Sequence, residues 1–271
     1  MTALRDIILA AVQGLTEFLP VSSSGHLVLV PYFLRWPEPT LGFAVALHLG
    51  TLLAVVVYFW RDVVAIFSKA FRNQPAKAPT EAATGDEAIG RSTLWMIILA
   101  TLPAAIMGVA LEHKVKALFE APLGVAGFLL LTAALLIVSE RFASNRCPTG
   151  SMRWWQALLI GFAQGCAIAP GLSRSGATIA AGLLLGFKRT QAARFAFLLS
   201  IPAILGAGVW ELRKVEGFSP LWLLAIAVSA VFGYLAIKWA LRAVAKAKLW
   251  HFALYCLLLA AVTFALHFLH Y

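Results

Sequence analysis

Charge is scarce in this sequence and acidic charge scarcest: Asp, Glu, Lys and Arg make up 13% of 271 residues, with 12 acidic against 22 basic. Cysteine is rarer still. Cys147, Cys166 and Cys256 form no even set and show no metal-ligand spacing, which excludes a disulfide framework and a cysteine-built zinc site and leaves them as packing residues. Apolar side chains fill the space that charge leaves. Hydrophobic residues reach 61% and mean hydropathy is +0.86, a composition that no soluble domain of this length keeps in solution. The chain therefore belongs in lipid. A net charge of +10 does not point to nucleic acid, because the basic residues are scattered between apolar stretches; they are markers of orientation instead.

A helix crossing the hydrocarbon core needs about 20 apolar residues. Six stretches approach that without an internal charge: Phe43 to Trp60, Leu94 to Leu111, Ala121 to Ser139, Phe195 to Trp210, Phe218 to Ile237 and Leu249 to Leu269. Two more apolar regions, Ile7 to Leu34 and Trp155 to Phe187, are each cut by turn residues, Leu19-Pro20-Val21-Ser22-Ser23-Ser24-Gly25 and Pro170-Gly171-Leu172-Ser173-Arg174-Ser175-Gly176. An arm of roughly 10 residues rises about 15 Å, half the core, so each region reads as a re-entrant hairpin with its tip near the midplane. Irregular backbone at that depth has to be shielded by protein or line a wet cavity, so the tips are where function is sought. The N-terminus reads as mature structure, since Arg5 and Asp6 lead straight into a hairpin arm.

The fold class expected is thus all-α, with six transmembrane helices and two re-entrant hairpins in one integral membrane domain. Shifting the chain by 151 residues aligns Gln13-Gly14 with Gln164-Gly165, Ser22 with Ser173, and Ser24-Gly25 with Ser175-Gly176. Residues 1–142 and 152–271 then form two repeats of a hairpin plus three spans, and the odd number of crossings inverts the second. With the N-terminus on one side, that side holds Arg5, Arg35, Lys114, Lys116, Arg213 and Lys214. The opposite side holds fifteen basic residues, and Arg174 in the second hairpin completes the 22. The basic excess makes the opposite side cytoplasmic and puts both termini outside, with the polar segment Lys69 to Ser92 as a cytoplasmic loop. Trp60, Trp210, Trp222 and Trp250 read as interfacial anchors, and Pro103 and Pro202 as kinks.

Three charged or titratable residues lie at depth. A carboxylate there costs about 2.5–3.5 kcal/mol even on lenient scales, which singles out Glu17, and the same reasoning singles out Arg174 and His26. Ser22, Ser23, Ser24 and Gly25 precede one returning arm, and Ser173, Arg174, Ser175 and Gly176 the other, with the chemistry of helix N-caps. Inversion directs two helix N-termini at one midplane point, each with roughly half a positive charge and free amides, an arrangement suited to phosphate. Ser23 is a candidate nucleophile. His26, three residues on, can face it and take its proton, while water attacking directly with His26 or Glu17 as base stays open.

The strings QGLTEFLPVSSSGH and PGLSRSGAT resemble the two signature segments, E/Q-x-x-x-E and P-G-x-S-R-S-x-x-T, of the bacitracin-resistance family of undecaprenyl-diphosphate phosphatases. The resemblance extends along essentially the whole chain. It implies hydrolysis of a polyprenyl pyrophosphate lipid to the monophosphate and inorganic phosphate, recycling the carrier for peptidoglycan synthesis and giving bacitracin resistance. It further implies an inner-membrane site opening to the periplasm and a divalent cation, Mg²⁺ or Ca²⁺. Carried over by position, Glu17, Ser23, His26, Ser173, Arg174 and Thr178 are its functional residues. Gln13 takes the variable place of the first motif, with Glu17 a metal-site candidate beside it. Ser22, Ser24, Gly25, Ser175 and Gly176 join the substrate-binding set.

Blander roles compete. Ser22 and Ser24 can do no more than cap, and His48, with nothing charged flanking it, reads as a core histidine. A transporter of the lipid phosphate is the rival function, because inverted repeats with broken helices are a transporter signature.

Overall fold

The computed structural model describes residues 2–71, 91–119, 121–144, 147–215, 217, 219–246 and 249–269. Among them the chain is all helical. The helices are α1 (Thr2–Glu17), α2 (Ser23–Leu34), α3 (Leu41–Tyr58), α4 (Trp60–Phe71), α5 (Arg91–Phe119), α6 (Pro122–Phe142), α7 (Trp154–Cys166), α8 (Arg174–Leu184), α9 (Arg189–Leu212), α10 (Leu221–Lys246) and α11 (Trp250–Leu269).

Six of these are long and apolar enough to cross a membrane: α3, Ser92–Leu111 of α5, α6, α9, α10 and α11. They coincide with the six expected stretches. Their outer faces carry large apolar side chains that a water-soluble surface would not tolerate, such as Leu53, Ile106, Val209 and Leu258, each at least half exposed. Trp60 and Trp250 are also exposed, near helix ends.

The two interrupted regions form helix pairs, α1 with α2 and α7 with α8. Their arms are 16, 12, 13 and 11 residues long, all short of the about 20 that a span requires. The arm α1 is longer than the expected ten or so residues and starts at Thr2, well before Ile7. Each first arm packs mainly on a long helix from the other half of the chain, α1 on α10 and α7 on α5. Glycine permits this closeness: a Cβ on Gly14 would lie 2.6 Å from the Ser229 carbonyl oxygen, and one on Gly161 would lie 2.1 Å from that of Ala100.

Helix α4 was not expected. It follows α3 after Phe59, and Asp62 on it pairs with Arg194 of α9 at 2.7 Å. Of the polar segment read as a loop, 72–90 lie outside the described residues, while its two ends belong to α4 and α5. A second ion pair, Arg189 to both oxygens of Glu140 at 2.7 and 2.5 Å, ties α9 to α6, and Glu140 also accepts the Leu249 amide at 3.1 Å where α11 begins. Pro31, Pro103 and Pro202 all sit inside helices.

Candidate active site

The site is built where the turns between α1 and α2 and between α7 and α8 touch. Ser22 caps α2, accepting the Gly25 amide at 3.3 Å, and the same oxygen accepts the Gly171 amide of the other turn at 3.1 Å. In return, the Ser175 hydroxyl donates to the Leu19 carbonyl at 2.8 Å. The contact is tight enough that a Cβ on Gly25 would meet the Gly171 Cα at 3.2 Å. Gly171 has φ +97°, open to glycine; Ser22 adopts φ 67° without that freedom, a conformation its cross-turn hydrogen bonds hold in place.

The two turns have the same internal wiring. Ser173 caps α8 through the Gly176 amide at 3.0 Å as Ser22 does through Gly25, and the Ser173–Ser175 hydroxyl contact of 3.2 Å matches the Ser22–Ser24 contact of 3.3 Å. The first turns of α2 and α8 thus lie beside this contact, with Ser23 and Arg174 as the leading residues of their helices.

Glu17, the last residue of α1, lies at this junction and is 6% exposed. Its Oε1 accepts from Arg174 Nη2 of the other turn, and its Oε2 accepts from the Ser23 hydroxyl and, at 2.7 Å, from Gln13 Nε2 one helical turn earlier. The sequence showed no local charge partner for Glu17 or Arg174; the partner of each is the other. Burial of the carboxylate is thus compensated by a guanidinium and two hydrogen bonds, as a charge in such a place requires.

His26 is not placed as expected. Its Nδ1 donates to the Ser22 carbonyl at 2.7 Å, and its Nε2 accepts from the Tyr255 hydroxyl of α11 at 2.6 Å, with the two rings stacked at 5.7 Å. Both nitrogens are engaged away from Ser23, whose hydroxyl is turned to Glu17 instead. Thr178 likewise directs its hydroxyl to the carbonyls of Arg174 at 2.9 Å and Ser175 at 3.2 Å, within its own helix.

Three residues of this neighbourhood escaped sequence reasoning. His48 of α3, read there as a core histidine, brings Nε2 to 3.9 Å from Glu17 Oε2 while Nδ1 donates to the Ala44 carbonyl at 2.8 Å. Thr132 of α6 is buried under the second turn, donating to the Gly171 carbonyl at 2.8 Å and accepting the Ser173 amide at 3.0 Å. Tyr255 holds His26. None of the three stands in a motif, and each acts across helices distant in sequence. The only signal available was polarity inside an apolar span, which His48 and Thr132 share with many packing residues.

The chain matches the sequence profile of the bacitracin resistance protein BacA over residues 6–262. Among curated proteins it is similar to the undecaprenyl-diphosphatases of Moorella thermoacetica (40% identical, covering 99% of each chain), Methanosphaera stadtmanae (39%, 97% of each) and Trichlorobacter lovleyi (43%, 94% of this chain and 93% of the relative). With the family profile spanning nearly its whole length and such relatives matching end to end, this chain belongs to the bacitracin resistance protein BacA family.

Proposed function

We infer that this chain is a membrane-embedded undecaprenyl-diphosphatase, which hydrolyses undecaprenyl diphosphate to the monophosphate and inorganic phosphate and so returns the lipid carrier to cell-wall synthesis. The observation that carries the reading is the constellation Glu17–Ser23–Arg174, drawn from both turns, with Ser23 and Arg174 at the N-termini of their helices. Anion binding alone needs the amides and the guanidinium. It does not need a serine hydroxyl hydrogen-bonded to a buried carboxylate, which is the pairing of an activated nucleophile with its proton acceptor.

In this mechanism the first-turn amides of α2 and α8 and the Arg174 guanidinium receive the pyrophosphate. Ser23 Oγ attacks the terminal phosphorus as its proton passes to Glu17. The bond from phosphorus to the bridging oxygen breaks, releasing undecaprenyl phosphate, and water then cleaves the phosphoserine. Arg174 presents planar donors to the charge that builds on the phosphoryl oxygens in the transition state. His26, fixed by Ser22 and Tyr255, serves the site by holding the Ser22 turn rather than by exchanging a proton with Ser23.

A divalent cation belongs to this reading. Glu17 and Arg174 cancel, so a substrate with at least two negative charges meets a pair that is neutral overall, and a dication restores the balance. The donor set accommodates one: Gln13 Oε1 is buried with no hydrogen-bond partner, beside the Glu17 carboxylate. Hard Mg²⁺ or Ca²⁺ takes few protein oxygens when phosphate and water supply the rest, and would polarise the phosphoryl group.

The helix pairs act as re-entrant hairpins in two inverted repeats, 1–142 and 152–271. Supporting this are the matched wiring of the two turns and the exchanged packing of α1 on α10 and α7 on α5. The basic excess orients the molecule with both termini outside and the site opening to the periplasm. Release of inorganic phosphate from undecaprenyl diphosphate by the purified protein in detergent, where transport has no meaning, tests the function; tight lipid binding without phosphate release would instead make it a carrier.

A further inference from the structure

We propose that His48 supplies a nitrogen ligand, beside Glu17, to the divalent cation of this site, an inference that rests on the cation reading given above. The ring is already oriented for the task. Its Nδ1–H is committed to the Ala44 carbonyl at 2.8 Å, which leaves the lone pair on Nε2, and Nε2 lies 3.9 Å from Glu17 Oε2. A backbone carbonyl on the far nitrogen is the usual way a metal-binding histidine is held. Metal bonds of about 2.1 Å to nitrogen and carboxylate oxygen allow one cation to touch both atoms at that separation.

The surroundings agree. Glu17 Oε1 belongs to Arg174, so the guanidinium and the cation divide the carboxylate between them. Oε2 now accepts from Gln13 Nε2 and Ser23 Oγ. A half turn of the Gln13 amide removes one donor from Oε2 and puts in its place the oxygen that is at present buried and unpartnered, so that Gln13 and His48 would both offer a lone pair beside Glu17 Oε2. The side chain of His48 is 35% exposed against 4% for Glu17, so the imidazole is the more accessible of the two groups. Phosphate oxygens and water complete its shell. An imidazole in the set favours Mn²⁺ over Ca²⁺, which prefers oxygen alone.

The test uses the full-length protein in detergent, with any purification tag removed, and Mn²⁺ as the probe. Free Mn²⁺ is followed by its electron paramagnetic resonance signal, and ligand nitrogen by pulsed measurement of its coupling to the bound ion. The wild type is expected to bind Mn²⁺ with a nitrogen coupling that changes on ¹⁵N-histidine labelling. His48→Ala should weaken binding about tenfold or more, and His48→Gln, which keeps an oxygen donor, should restore binding without the nitrogen coupling. Nitrogen coupling that persists in His48→Gln would overturn the proposal. So would undiminished binding in His48→Ala; if Glu17→Gln abolishes binding in that case, the cation reading survives without His48. Undiminished binding in both His48→Ala and Glu17→Gln would remove the cation from this site altogether.

Discussion

Ser22 and Ser23 are neighbours with the same side chain and opposite tasks. Ser22 Oγ accepts amides from both turns, whereas Ser23 Oγ donates to Glu17. Ser23→Ala should therefore lower kcat by roughly a thousandfold or more with little change in Tm, because the reaction path is lost and no buried donor is orphaned. Ser22→Ala leaves the Gly171 amide unsatisfied and should cost about 1–3 kcal/mol of stability, read as a lower Tm in detergent. Comparable losses of rate with equal Tm in the two variants would contradict this division. Arg174→Lys keeps a charge near Glu17 but not the planar fork, so kcat should drop by about 10²–10³ while the protein stays folded. Near-normal turnover would show that charge alone suffices. At this scale the sequence was legible where chemistry is concentrated in a string: Glu17 and Arg174 were singled out by the cost of charge at depth, and Ser23 by its place at the head of a returning arm. The partner of His26 was not legible, because proximity on a helix face says nothing about a tyrosine on α11.

Helices were legible wherever length and hydropathy coincide, so the six long apolar elements lie where the sequence put them. The departures have physical causes. Helix α4 begins almost without a break after α3, and its mixed sequence WRDVVAIFSKAF matches neither a span nor a loop. The α1 arm runs further back than its apolar core, through Arg5 and Asp6, which pair with each other at 2.8 Å. The placement of α6 under the second turn was invisible, since Thr132 looks like any threonine in a span. Its two hydrogen bonds fix the backbone from which Arg174 projects. Thr132→Val removes both at constant shape and should lower kcat more than it raises KM, with about 1–3 kcal/mol lost in stability; Thr132→Ser should recover most of the rate. A loss of Tm with unchanged kcat in Thr132→Val would reduce it to packing.

For the whole molecule, the two turns that a shift of 151 residues aligns have matched capping and reciprocal contacts, while the residues at their centre differ, Ser23 in one and Arg174 in the other. The proposed orientation in the membrane rests on the basic excess of one side. Cys147 is exposed and hydrogen-bonded through its backbone to Gly186, just beyond α6, and on this account lies in the cytoplasm. A membrane-impermeant thiol reagent should label it in inside-out vesicles and not in intact cells; the reverse pattern would invert the topology. The central claim is that the two turns make one hydrolytic site. It is tested most directly by phosphate release from undecaprenyl diphosphate in detergent by wild type, Ser23→Ala, Arg174→Lys and the double variant. The account predicts that each single change removes most of kcat and that the double variant is little worse than Ser23→Ala, since groups acting as a unit are strongly non-additive. Losses that multiply, or full activity in either single variant, would mean that the two turns act independently.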